Sequence, residues 1–180
     1  MDHSGWHSRG HLPHFDSRDV VQFVTFRLAD SLPKEAMIRV REAFRPETLR
    51  EELLDQGAGA CWLRTEAIAR IVEEAFLVFD GQRYRLHAWT IMPNHVHVLL
   101  TVLPSMPLST IVSSWKRFTA RVANKELGRT GAFWQVDYWD RFIRNEEHFE
   151  ATRSYIDLNP VKAGLIGDPH LWRWGSARFE

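Results

Sequence analysis

In residues 82–104, "QRYRLHAWTIMPNHVHVLLTVLP", two apolar runs flank Pro93-Asn94, the pattern of a β-hairpin whose second strand carries His95 and His97. Side chains two apart on a strand share a face, so both imidazoles can grip one metal ion. A lone histidine in such a strand reads as a satisfied core residue. Two on one face are costly to bury unpaired, which favours ligation.

The other segments arrange themselves around this hairpin. Residues 1–19 are polar, rich in His and Gly and without period, and read as an irregular arm; residues 20–180 read as a single domain. "VVQFVTFRLAD" reads as a mostly buried first strand. A helical stretch from about Lys34 to Gln56, interrupted near Pro46, ends around Gly57 to Gly59. Thr65 and Glu66 open a second helix that closes at Asp80-Gly81. Leu108, Ile111, Val112, Trp115, Phe118, Thr119 and Val122 mark the buried side of a long helix, with Arg117, Arg121 and Lys125 opposite. "FWQVDYWDRFI" reads as a strand and "EEHFEATRSYIDL" as a final helix. This order predicts an α+β fold: a ferredoxin-like split βαβ, an antiparallel sheet with helices packed on one face.

The whole chain balances 23 basic against 23 acidic side chains, yet residues 81–145 hold nine basic and three acidic ones, a local excess of six. Phosphate affinity follows the charge of the contact face, so overall neutrality does not exclude DNA. The single cysteine, Cys61, excludes an internal disulfide and suits a reducing compartment. With no secretory apolar core at the start and no long apolar run elsewhere, the expectation is a soluble cytoplasmic protein, nucleoid-associated if it binds DNA, with no membrane partner.

Three tyrosines are available as nucleophiles. Tyr84 alternates with Leu86 and Ala88 and reads as core, and Tyr138 sits among Asp137, Trp139 and Asp140, where aromatic packing is the simpler account. Tyr155 differs because Asn159, a hard oxygen donor, follows one helical turn later on the same face. Pro160 leaves two readings of Asn159 open: it either completes a metal site with His95 and His97 or caps a short helix starting at Pro160.

The H-x-H spacing alone is weak, since it also occurs in zinc hydrolases and in histidine-triad proteins, whose third histidine would fall at Leu99. Taken together, "RGHLPHFD", "QFVTFRLADSLP", "HAWTIMPNHVHVLL", "SWKRFTA", "FWQVDYWDRFIR" and "YIDLNPVKAGL" resemble the HUH-type single-tyrosine transposases. Within these the resemblance is to the REP-associated tyrosine transposases found beside bacterial palindromic repeats. It implies that His95, His97 and Asn159 bind a divalent metal and that Tyr155 attacks single-stranded DNA, leaving a 5′-phosphotyrosine and a 3′-hydroxyl. It implies Mg²⁺ or Mn²⁺, whereas imidazole chemistry by itself favours Zn²⁺ or Mn²⁺. The partner implied is single-stranded hairpin DNA. Arg9 and His14 of the arm are expected contacts, as are Lys116, Arg117 and Arg121 of the long helix, with Trp89, Trp115 and Trp134 available to stack on bases. The expected state is a monomer, with a homodimer as the alternative.

Two rival functions follow from the same residues. One is a non-catalytic palindrome-hairpin DNA-binding protein. The other is a zinc hydrolase, which needs a general base near the metal, such as Glu73 or Glu74.

Overall fold

A computed structural model describes residues 5–8, 13–16, 20–104 and 106–180, the first two ranges as backbone strands only. Strands β1 (Gly5–Ser8) and β2 (Pro13–Asp16) form an antiparallel hairpin. The arm, expected to be irregular, therefore has regular structure: two short strands need backbone pairing rather than apolar periodicity, and composition does not reveal that.

The rest of the chain runs β3 (Val21–Arg27), α1 (Lys34–Glu42), α2 (Pro46–Asp55), α3 (Glu66–Leu77), β4 (Tyr84–Ile91), β5 (His95–Val102), α4 (Leu108–Glu126), β6 (Trp139–Phe142) and α5 (Glu146–Lys162). The sheet order is β4-β5-β3-β6 with every pair antiparallel, which is the ferredoxin-like order expected. Pro46 occupies the first turn of α2, where its missing N–H leaves no bond unmade. The strand expected over "FWQVDYWDRFI" shortens to β6, because Trp134 bridges to Leu28 before the chain turns.

Alternation along β3 and β5 sorts the core into two layers. Val24, Phe26, Val96, Val98 and Leu100 face α3 and α4 in the larger cluster, together with Phe76 and Trp115. Phe23 and Leu99 face the other way, against Ile156, Phe149 and Tyr155 of α5. The α+β antiparallel class holds, but helices expected on one face are divided between both. The physical reason is that both inner strands are buried on both sides, so each side needs a cover.

Both edges of the sheet are occupied. Along β4 the C-terminal segment folds back, with Ile91 N–H donating to Trp174 O at 2.8 Å and Trp89 N–H to Ser176 Oγ at 2.9 Å. Along the other edge, β2 lies beside β6. Among the described residues no helix is long and apolar enough to cross a membrane.

Candidate metal and nucleophile site

The register that pairs Thr25 with His97 and Arg27 with His95 puts all four side chains on the α5 face of the sheet. Both histidines are fully buried. Asn94 Nδ2 donates to Ala58 O at 2.9 Å, which turns Asn94 Oδ1 toward His95 Nδ1, 2.8 Å away. That oxygen only accepts, so His95 carries its proton on Nδ1 and presents a lone pair at Nε2. His97 Nδ1 meets the Thr25 hydroxyl at 2.8 Å, and the two Nε2 atoms lie 3.1 Å apart. Burial pushes both imidazoles down to about 3, helped by the neighbouring His97 for His95 and by the Arg50 guanidinium for His97. Neutral imidazoles with their outer nitrogens fixed are what a metal requires.

Helix α2 adds two carboxylates, Glu51 and Asp55, one turn apart and therefore on one face. Glu51 Oε2 is 3.4 Å from His97 Nε2, and Asp55 Oδ1 is 3.8 Å from His95 Nε2. Glu51, His95 and His97 offer donor atoms all within 4.8 Å of one another. Desolvation, followed by the Glu51 charge, raises the Asp55 carboxyl to about 7, with Lys162 opposing. The sequence reading missed both residues. Their signal, Glu-x-x-x-Asp on an amphipathic helix, is ordinarily that of a solvated face.

Helix α5 delivers Tyr155 to the same point. Its hydroxyl donates to Glu51 Oε2 at 3.0 Å, and its ring centre is 5.4 Å from that of His97. Burial first, then the Glu51 charge, holds the phenol well above its ordinary range, with the Asn159 amide opposing. The resting side chain is a protonated donor that must lose its proton to act. Asn159 lies inside α5, fully buried, with neither amide atom given a partner of good hydrogen-bond geometry. The helix continues through Pro160, so the capping alternative for Asn159 falls. A buried amide held only by a poor hydrogen bond, here to the Tyr155 hydroxyl, costs up to about 1–3 kcal/mol, which a cation beside it would offset. Two imidazole nitrogens and a carboxylate, with a poorly bonded amide at the neighbouring Tyr155, thus fit a divalent ion, and nitrogens 3.1 Å apart suit bonds of about 2.1 Å to one centre.

The remaining expected residues lie elsewhere. Tyr84 is core, its hydroxyl donating to Phe76 O at 2.7 Å, and Tyr138 packs against the larger cluster. Trp89, Trp115 and Trp134 are buried, so none of the three is free to stack on a base. Helix α4 covers the face opposite the histidines. Arg117 and Arg121 are exposed there, while Lys116 Nζ donates to Val136 O at 2.7 Å, and burial lowers its ammonium to about 8. None of these three converges on the histidine pair. Arg9 lies outside the described residues, and His14 falls on β2, where only the strand pairing is described. Glu73, buried on α3, is bound to Trp89 Nε1 and Arg178, and Glu74 is exposed; α3 covers the face opposite the imidazoles, so neither is the base that the zinc-hydrolase reading named.

A family model described as "Transposase IS200 like" matches residues 62–159. The REP-associated tyrosine transposase of Escherichia coli (strain K12) is 30% identical over 93 residues, which are 49% of this chain and 52% of that protein. The chain thus spans about half the length of this relative. A solved structure of a REP-associated tyrosine transposase bound to a REP hairpin has a similar fold, with a TM-score of 0.65 at 18% identity, covering 95% of this chain and 84% of that one. The family match begins after α2, so His95, His97, Tyr155 and Asn159 fall inside it, and Glu51 and Asp55 outside.

Proposed function

The chain belongs to the IS200-like transposase family, and from that membership we propose that it cuts and rejoins single-stranded DNA beside a palindromic hairpin through a 5′-phosphotyrosine at Tyr155. The observation that carries this reading is the convergence on one carboxylate: Glu51 Oε2 accepts from the Tyr155 hydroxyl at 3.0 Å and lies 3.4 Å from His97 Nε2.

The phenolic oxygen attacks the phosphorus, an O–P bond to tyrosine forms, and the bond from phosphorus to the 3′-oxygen breaks. The phenolic proton passes to Glu51, already its hydrogen-bond acceptor, and the departing 3′-oxygen takes up a proton to leave as a hydroxyl. Rejoining runs the same steps backward with another 3′-hydroxyl and needs no ATP. His95 and His97, with Glu51 and Asn159 beside them, are the residues that would hold a divalent ion, which supplies positive charge to the phosphate oxygens when bound. Thr25 and Asn94 hold the two rings in place. Phe23, stacked on His97 and edge-on to Tyr155, keeps the phenol against the imidazoles.

A labelled hairpin oligonucleotide with an unpaired flank, incubated with the protein and Mn²⁺, is expected to give a covalent protein–DNA species on a denaturing gel. Tyr155→Phe abolishes that species while leaving hairpin affinity within about two-fold. An adduct that survives in Tyr155→Phe sinks the assignment of the nucleophile. Salt-sensitive hairpin binding with no adduct from the wild type leaves the protein a binder only.

A further inference from the structure

A groove of about 1280 Å³ opens beside the site, walled by α1 and α2 on one side and by β6 and the start of α5 on the other. Its floor includes Thr25, the partner of His97, so one end of the groove lies next to the histidine pair. Two residues there have chemistry that the site itself does not use. The Arg50 side chain is only 15% exposed, and its Nε and one terminal nitrogen are buried with no hydrogen-bond acceptor among the described residues; the Glu51 carboxylate is 3.9 Å from Nε. Trp139 lies under two guanidinium groups, Arg50 at 5.4 Å and Arg141 at 5.0 Å from its ring centre. Trp139 also meets Phe23 at a steep angle, ring centres 5.5 Å apart, and Phe23 stacks on His97. A partly exposed indole thus stands one ring from the reactive centre.

We propose that this groove seats the unpaired DNA strand next to the scissile phosphate, with Arg50 gripping a backbone phosphate and Trp139 stacking on a base. The proposal rests on the reading of the chain as a single-strand DNA enzyme and adds the place where the strand lies. The Nε edge of a guanidinium matches two phosphate oxygens, and in Arg50 that edge is buried and has no acceptor among the described residues until the side chain turns to an entering phosphate. Stacking on Trp139 requires a π-face, which only unpaired bases expose. Arg27, on β3, and Arg144 also line the groove and add positive charge to it. Glu47, bound to Arg141 at 2.5 Å, is the carboxylate that gives way as a phosphate approaches. The arm strand β2 runs beside β6, so the groove and the arm share one edge of the molecule.

The test is fluorescence anisotropy with labelled oligothymidine and the whole 180-residue chain carrying Tyr155→Phe, in EDTA, where no cleavage enters. Trp139→Ala is expected to weaken binding about ten-fold, and Trp139→Phe to recover most of it. Arg50→Gln is expected to weaken binding about ten-fold and to reduce the slope of log affinity against log salt by about 0.7, the signature of one lost single-strand phosphate contact. Oligothymidine affinity and salt slope unchanged in both Trp139→Ala and Arg50→Gln would overturn the proposal, and oligouridine bound as tightly as oligothymidine would overturn the assignment to DNA. The result is independent of the adduct assay: a protein that holds the strand through Arg50 and Trp139 yet forms no phosphotyrosine refutes cleavage alone.

Discussion

The side-chain amide of Asn94 is held by Ala58 at one end and holds His95 at the other, so a residue that touches no reacting atom decides which nitrogen of the imidazole faces the site. The loop that supplies Ala58 is itself tightly placed: a Cβ at Gly59, which has φ +88°, would fall 2.7 Å from the Asp30 carbonyl oxygen. Asn94→Ala removes the acceptor that fixes the proton on Nδ1, and the ring is then free to present either nitrogen. The expected outcome is Mn²⁺ affinity 10- to 100-fold weaker by titration calorimetry, with the fold intact by circular dichroism. Unchanged affinity would mean that Asn94 does not set the tautomer. At this scale the sequence was legible where chemistry and periodicity agree. His95 and His97 declared themselves by strand spacing, and Tyr155 with Asn159 by helical spacing. Glu51 and Asp55 were not legible, because a carboxylate pair on a helix acquires meaning only from what faces it, and the facing histidines lie forty or more residues away.

Helix α2 is the element that joins the nucleophile to the imidazoles, and it lies outside the stretch that matches the family model. Leu53 and Leu54 bury its other side against Leu32, which anchors the helix and leaves Glu51 pointing at Tyr155. Glu51→Gln keeps the shape and a hydrogen-bond acceptor but removes the proton sink. The adduct rate is expected to fall by about 10²–10⁴, the range for loss of a general base, with hairpin affinity unchanged. A rate within three-fold of wild type would show that the phenolic proton leaves by another route. Element boundaries followed the same logic of legibility. The alternating strands and the proline-broken helices were readable because their signals are local. The arm hairpin and the brevity of β6 were not, since the first depends on pairing and the second on Lys116 holding the carbonyls of Val136 and Asp137 ahead of the strand.

Across the whole molecule, the buried site makes folding itself sensitive to pH, and its groups act in opposite directions. His95 and His97 sit at about 3 in the folded chain against an ordinary 6.5, so between those values the unfolded chain takes up two protons that the native one refuses. Stability from this pair is lost as pH falls below about 6.5. Asp55 sits at about 7 against an ordinary 3.8, so the native chain holds a proton that the unfolded one has released. Its contribution is lost as pH rises toward 7. The histidines outnumber the carboxyl two to one, leaving a net uptake of one proton on unfolding between about pH 4 and 6.5. The metal-free protein is therefore expected to lose on the order of 2 kcal/mol between pH 6.5 and 4.5 from these three groups, a drop in melting temperature of roughly 4–8 °C. Asp55→Asn removes the opposing group, so the variant should lose stability about twice as steeply over that interval. Above pH 7 it should be the more stable of the two, no longer burying a charged carboxylate beside Glu51. Thermal melts of both proteins in EDTA at pH 4.5, 6.5 and 8 check the crossing. Parallel curves at all three values would mean that Asp55 titrates as an ordinary surface acid.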